Sequence, residues 1–145
     1  MSIHLTRKKI LCISFFLCCV LPACFTWFET ATDTFSGLSL LELPLLIATT
    51  VFAFGLLFER PQFILPLGIL SHVSLLVCSI IAFVRFPVNA GLADAKDLAI
   101  SFEYAEIGYW VAIALILVHL ALFNTTELAV RKLARHNAEK NTSAN

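Results

Sequence analysis

Four long apolar blocks constrain this chain more than any other feature. They cover residues 10–28, 41–58, 63–86 and 107–124, each close to the ~20 residues that a helix needs to cross roughly 30 Å of hydrocarbon. Of the whole sequence 59% is hydrophobic and 14% charged, whereas about a quarter of a soluble domain is charged. A lone strand cannot satisfy its backbone in lipid. The sequence therefore predicts an all-α integral membrane protein, a four-transmembrane-helix bundle in a single domain of residues 1–145.

The positions of the basic residues predict how these helices are oriented. Eight of the ten Lys and Arg residues lie before the first block, between the second and third, or after the fourth, and the other two, Arg85 and Lys96, fall on the opposite side. Because basic residues collect on the cytoplasmic side of a membrane, we expect both termini in the cytoplasm, with a cytoplasmic tail at residues 125–145. The compact loops and the signal-like start favour a bacterial inner membrane, with the lipid bilayer as solvent.

The end of the first block admits two interpretations. The stretch CCVLPAC, residues 18–24, follows a basic start and an apolar run and resembles a bacterial lipoprotein cleavage site. Removal of residues 1–23 would leave three spans and a lipidated Cys24. Pro22 and the apolar FTWF that follows favour an intact first helix, and three further spans already anchor the chain. Lipidation of Cys24 stays open as the alternative.

The residue types of the chain argue against several classes of function. The five cysteines form no disulfide framework, because the two outer connections contain none, and we interpret them as small core residues. We find no Gly-rich phosphate loop, no nucleophile elbow and no His/Glu metal signature. No basic patch is large enough for a nucleic acid. The sequence thus predicts no enzyme, no cofactor, no metal site and no nucleic-acid partner.

Acidic residues are concentrated in the connection between the third and fourth blocks. After the turn NAG at residues 89–91, the segment LADAKDLAISFEYAEI predicts a short surface helix in this second outer loop. The segment carries four carboxylates: Asp94, Asp97, Glu103 and Glu106. Either they form a solvated rim, or they form a docking patch for a basic partner.

Glu42 is an acid at the start of the second block. Ser39 precedes it by three residues, which is the spacing of a capping box: the serine hydroxyl accepts a backbone N–H and the glutamate reaches back. Pro44 also marks a helix start. A cap is therefore the favoured interpretation of Glu42, and an ion- or proton-binding carboxylate is the alternative.

Two histidines lie inside the predicted membrane region. Counted at ~1.5 Å per residue from the inner boundary, His72 and His119 lie about 13 Å and 10 Å deep on neighbouring helices. Helical spacing puts Ser71 on the face of His72, and it puts Thr49 with Glu42 on a side of the second span that we expect to face the bundle interior. The histidines form an interhelical hydrogen bond, ligate a haem, or serve a proton-linked carrier.

These patterns favour a function exerted by contact. We expect a small inner-membrane protein without a catalytic site that acts through its helices or outer loop on another membrane protein or on a second copy of itself. It would be an accessory subunit of a membrane assembly or an immunity-type protein. The alternative is a small oligomeric proton-linked transporter, because four helices enclose little space without a second copy. A bis-histidine haem electron carrier is the remaining hypothesis.

Overall fold

Helices account for most of the chain in the structure, a computed structural model that describes residues 2–57 and 61–142. The elements in chain order are helix α1 (Ser2–Phe15), a π-helical turn (Phe16–Val20), a 3₁₀ turn (Leu21–Cys24), strands β1 (Thr26–Glu29) and β2 (Thr34–Ser36), and helices α2 (Gly37–Leu57), α3 (Pro61–Asn89), α4 (Leu98–Tyr104) and α5 (Ile107–Thr142). Arg60, the basic residue between the second and third blocks, lies outside the described residues.

The membrane character of the chain is confirmed. Among the described residues, three helices are long and apolar enough to cross a membrane: Gly37–Leu57, Phe63–Asn89 and Ile107–Asn137. They correspond to the second, third and fourth apolar blocks. The short surface helix predicted between the third and fourth blocks is present as α4, and its first turn is capped by Asp97.

The first apolar block is helical but not uniformly α-helical. α1 passes into the π-helical turn and then into the 3₁₀ turn that contains Pro22, so the chain is wound without a break from residue 2 to residue 24. The prediction of one helix extending to residue 28 is wrong beyond Cys24. Pro22 has no backbone N–H to donate, and the β-branched and aromatic residues that follow it form β1 instead.

A two-stranded hairpin follows the first block and closes one end of the bundle. β1 pairs antiparallel with β2 in a register that places Phe28 opposite Phe35. The Trp27 carbonyl accepts the backbone N–H of Glu106 (2.8 Å), and a β-bridge joins Phe28 to Ala105. The hairpin and α4 therefore lie together at one end, which we call the hairpin end.

Aromatic side chains fill the hairpin end. Trp27 and Phe28 are 1% and 0% exposed. Phe28 stacks on Phe86 of α3 with ring centroids 4.0 Å apart, and Trp27 meets Tyr109 of α5 edge-on at 5.3 Å. The Trp27 indole N–H donates to the Pro22 carbonyl (3.2 Å), so its polar group is satisfied. Burial of these rings attaches the hairpin to α3 and α5.

The helices pack as a chain of neighbours. α2 and α3 form an antiparallel pair, α3 packs on α5, and α5 packs on α1 and the π-helical turn. At the end opposite the hairpin, Arg7 Nη2 and Glu127 Oε1 form an ion pair that joins α1 to α5. Glu127 is 1% exposed although it lies beyond the predicted fourth span, so α5 continues as a packed helix past that boundary.

Gly108 allows the hairpin to approach α5 closely, because an added Cβ would overlap the carbonyl oxygen of Thr26. Replacing Gly108 with Ala should lower the free energy of unfolding by about 1–3 kcal/mol, the usual cost of overpacking. Denaturation in detergent micelles, followed by tryptophan fluorescence, measures the change. Ala114→Leu is the control, because it adds more volume at an exposed position of the same helix. Equal losses in the two variants would contradict this role of Gly108.

Breaking the ion pair should be costly, because Glu127 is buried and would lose Arg7, which is itself only partly exposed. We expect Arg7→Gln to lower the free energy of unfolding by about 3 kcal/mol. The double variant R7L/E127L should recover part of that loss, since no unpaired charge remains. Lys9→Gln, at an exposed position of the same helix, should have little effect. The same denaturation assay applies, and a single variant as stable as the parent chain would refute the role of the pair.

Candidate functional site, a buried histidine pair

His72 of α3 and His119 of α5 meet in the middle of the bundle. Nε2 of His72 lies 2.6 Å from Nδ1 of His119, and the two rings stack with centroids 4.9 Å apart at an interplanar angle of 17°. The side chains are 0% and 4% exposed. The structure therefore brings together the two histidines that the sequence placed at similar depth.

The hydrogen bonds of the pair run in one direction. Nδ1 of His72 lies 2.6 Å from the Gly68 carbonyl oxygen, which can only accept, so this nitrogen carries the proton. In neutral His72 the Nε2 atom then accepts, and Nδ1 of His119 donates to it. Nε2 of His119 is left as an acceptor, and the hydroxyl of Ser14 donates to it over 2.9 Å. Both tautomers are thus fixed by the partners.

Three phenylalanine rings enclose the pair. Phe15 of α1 and Phe52 of α2 stack on one another at 4.1 Å and both present an edge to His72. Phe123 of α5 stacks on His72 with centroids 5.7 Å apart. All three rings are buried. Because they keep water from the imidazoles, the hydrogen bonds of the pair must be made within the protein.

Cys19 of the π-helical turn lies beside the pair, with Sγ 4.0 Å from Nδ1 of His119. The interpretation of every cysteine as core filler does not anticipate this contact. The sequence feature that relates to this contact is a four-residue spacing. Leu11, Phe15, Cys19 and Ala23 recur every fourth residue, and all four are buried. In an α-helix each such step turns about 40° past the last. The wider π-helical turn offsets that drift and keeps Cys19 on the buried face.

The other predicted intramembrane residues lie apart from the pair. Ser71 is buried, and its hydroxyl donates to the Ala48 carbonyl (2.7 Å), which ties α3 to α2. Thr49 is half-buried; its hydroxyl donates to the Leu45 carbonyl within its own helix (2.7 Å), and it lines an apolar groove between the first and second apolar segments. Glu42 is exposed, so the expectation that it faces the bundle interior is wrong.

The predicted capping box at Glu42 is also absent. α2 begins at Gly37, three residues earlier than a cap at Ser39 requires, and its dihedral angles break at Leu41. The hydroxyl of Ser36 accepts the backbone N–H of Ser39 (3.2 Å) and so takes the capping role. Strand β2 runs directly into α2, so the helix starts closer to the N-terminus than predicted, and Glu42 lies at the surface.

The four acidic candidates lie at the hairpin end, and all are exposed. Asp97 has a structural role, because its Oδ1 accepts the backbone N–H of Ala99 (2.9 Å) at the start of α4. Glu106 lines a shallow groove with Glu29. Asp94 and Glu103 project from the loop and from α4. These carboxylates remain a candidate docking surface, with Asp97 serving mainly as a cap.

The geometry of the pair discriminates between possible ligands. An iron between two imidazoles needs about 4 Å between the ligating nitrogens, two bonds of ~2 Å each, whereas they are 2.6 Å apart. This arrangement does not favour a haem. A small ion bound to one side fits the donors better: Sγ of Cys19, Nε2 of His72 and Nδ1 of His119 all lie within 4.8 Å of one another.

Removing one histidine should destabilise the bundle by leaving the other without its partner. We expect His72→Leu and His119→Leu each to lower the free energy of unfolding by about 1–3 kcal/mol, the cost of an orphaned buried polar group. The double variant should cost less than the sum of the two, because no nitrogen is orphaned. A double-mutant cycle in micelles measures this, with His136→Leu as the exposed control. Additive losses would show that the two imidazoles do not depend on each other.

No protein family, no curated protein and no solved structure matches this chain.

Proposed function

We propose that this chain is a small multi-pass membrane protein without a catalytic site, acting by contact on another membrane protein as an accessory subunit or an immunity-type protein. The observation that carries the proposal is the internal use of the intramembrane polar groups. The nitrogens of His72 and His119 bond to Gly68, to each other and to Ser14, under a cover of phenylalanine rings. A carrier or an enzyme presents such groups to its substrate, whereas these face one another.

The proposal includes a fourth membrane crossing, made by the first apolar block. An exposed apolar stripe along this wound segment supports it, formed by Ile10, Ile13, Phe16, Leu17 and Leu21. Lipid solvates such a stripe at no cost, whereas water does not. The ion pair of Arg7 with Glu127 keeps the start of α1 near the later part of α5. That proximity supports two termini on the same side, and the basic residues there favour the cytoplasm of a bacterial inner membrane.

The same contacts favour an intact first helix over cleavage at Cys24. Loss of residues 1–23 would remove the Ser14 hydroxyl from His119 and the Phe15 ring from the cover of the pair. It would also leave buried Glu127 without Arg7. Each of these losses exposes or orphans a polar group inside the bundle, which is costly in a membrane.

The hairpin end supplies a surface for the contact. α4 is fastened to α3 by Ser101, whose buried hydroxyl donates to the Phe83 carbonyl (2.7 Å). Its other side presents exposed Leu98 and Phe102 next to the carboxylate of Glu103. A surface that mixes apolar side chains with carboxylates suits a partner that is basic and partly apolar.

Neutralising the outer carboxylates tests the proposal. We expect native mass spectrometry of the protein, extracted from its own membranes in mild detergent, to show a second polypeptide at fixed stoichiometry. The variant D94N/E103Q/E106Q should lose that polypeptide, because it removes the charges that face a basic partner and leaves the Asp97 cap in place. The control K9Q/K132Q/R135Q removes three charges at the other end of the bundle and should retain it. Retention in both variants, or loss in both, would refute the assigned surface.

The same spectra separate the alternatives. A homodimer that carries no other polypeptide would support the oligomeric transporter. A haem mass on the chain would support the electron carrier, and it would require the two imidazoles to move apart. A complex with a different polypeptide is the outcome expected for a protein that acts by contact.

A further inference from the structure

We propose that Cys19, His72 and His119 form a binding site for a single Cu(I) ion inside the bundle. The site is built from three helical segments: the π-helical turn, α3 and α5. Its three donor atoms lie within 4.8 Å of one another, and all three side chains are buried. This inference is independent of the docking surface at the hairpin end.

Each histidine is held in the manner of a metal ligand. An imidazole that binds a metal through one nitrogen commonly donates its other N–H to a fixed acceptor, which sets the tautomer and the ring orientation. Nδ1 of His72 donates to the Gly68 carbonyl (2.6 Å), leaving Nε2 free of a proton. Nε2 of His119 lies 2.9 Å from the Ser14 hydroxyl oxygen, which can fill the same role for the second imidazole.

Ser14 accommodates the tautomer that the metal requires. Without metal, Nδ1 of His119 carries the proton that bonds to His72, and the Ser14 hydroxyl donates to Nε2 of His119. When Nδ1 binds a metal, that proton is carried on Nε2 instead and is donated to the oxygen of Ser14. The Ser14 hydroxyl can then turn to the Leu11 carbonyl, which lies 3.1 Å away. The two imidazoles and the Ser14 hydroxyl are therefore satisfied in both states.

The distances can be compared with those of a three-coordinate site. With metal–nitrogen bonds of about 2.0 Å, a metal–sulfur bond of about 2.3 Å and angles near 120°, the nitrogens lie roughly 3.5 Å apart and the sulfur roughly 3.7 Å from each. Sγ of Cys19 is 4.0 Å from Nδ1 of His119. The two nitrogens, now 2.6 Å apart, must separate by about 1 Å, which side-chain rotation of either histidine supplies.

The net charge of the occupied site favours Cu(I) over Zn(II). When Cu⁺ binds, the Cys19 thiol releases its proton to solvent and forms a sulfur–copper bond, so one positive charge enters and one leaves. The thiolate, the Cu⁺ ion and two neutral imidazoles sum to zero. The same ligands with Zn²⁺ would carry one net positive charge, which is costly inside a membrane. Thiolate and imidazole donors also suit Cu(I).

Competition with a chromophoric Cu(I) chelator tests the site in the full-length protein, purified in detergent under reducing conditions. We expect one Cu(I) per chain, and copper X-ray absorption should show one sulfur and two nitrogen neighbours. A chain that takes no Cu(I) from the chelator would overturn the proposal. A copper centre with two or more sulfur neighbours would also overturn it, because the cluster supplies only Cys19.

The variant Cys19→Ala removes one ligand and keeps the hydrogen bond between the histidines, so the fold should persist. We expect Cu(I) affinity to fall more than about 100-fold, beyond the roughly 10- to 100-fold cost of losing a residue that only supports a ligand. Ser14→Ala should fall within that smaller range. Cys18→Ala and Cys12→Ala are the matched controls on the same segment and should bind as the parent chain does. Unchanged affinity in Cys19→Ala, or an equal loss in Cys18→Ala, would overturn the assignment.

Zn(II) provides the test of the charge argument. Added at equal concentration, it should not displace Cu(I) from the parent chain. Cu(I) should also raise the unfolding temperature of the parent chain and leave that of Cys19→Ala unchanged, since only a ligand that binds the folded state stabilises it. Displacement of Cu(I) by Zn(II) would overturn the choice of ion.

Discussion

An imidazole in a water-free interior must find its hydrogen-bond partners within the protein, and this constraint organises the centre of the bundle. His72 is met by a main-chain carbonyl at one nitrogen and by His119 at the other, and His119 is met in turn by Ser14. These bonds join α1, α3 and α5. The packing of three helices thus depends on a polar chain that has no substitute in lipid, since neither water nor a hydrocarbon tail can replace a missing member.

The phenylalanines around the pair explain why the polar chain is stable where it lies. Phe15 and Phe52 stack on one another and line an open apolar groove of about 360 Å³ between the first and second apolar segments. The two stacked rings separate this groove from the imidazoles. Gly68 contributes at the opposite face, because its missing side chain leaves room for the ring of Phe123. Apolar packing and hydrogen bonding are therefore complementary at this site.

Apolar block length predicted most of the fold, and local backbone chemistry accounts for the differences. Blocks of about the right length become helices because only helices satisfy the backbone in lipid. Length carries no information about the end of the wound segment at Cys24, or about the pairing of β1 with β2. The pairing of Phe28 with Phe35 and the packing of both rings on Phe86 need tertiary contacts that no periodicity reveals.

The candidate site, too, was partly predictable from the sequence and partly dependent on local backbone structure. The depth of His72 and His119 follows from helical rise, so their proximity could be anticipated. The contact of Cys19 with His119 is harder to anticipate. The four-residue spacing keeps Cys19 on the buried face only because of the π-helical turn, and hydrophobic periodicity at 3.6 residues per turn gives no reason to expect such a turn. The prediction for Glu42 is wrong for a different reason. Its spacing from Ser39 matches a capping box, but the helix starts earlier because it follows directly on strand β2.

Irregular winding of the first segment also keeps it in register with α5. Three contacts join the two: Thr26 with Gly108, Ser14 with His119, and Arg7 with Glu127. Between the first two contacts the first segment advances 12 residues and α5 advances 11. Between the last two contacts the first segment advances 7 residues and α5 advances 8. A 3₁₀ turn is longer per residue than an α-helix, at about 2.0 Å of rise, and a π-helical turn is wider, so their effects on length offset one another. The turn that aims Cys19 at the histidines thereby also preserves the alignment of the hairpin end with the ion pair at the other end.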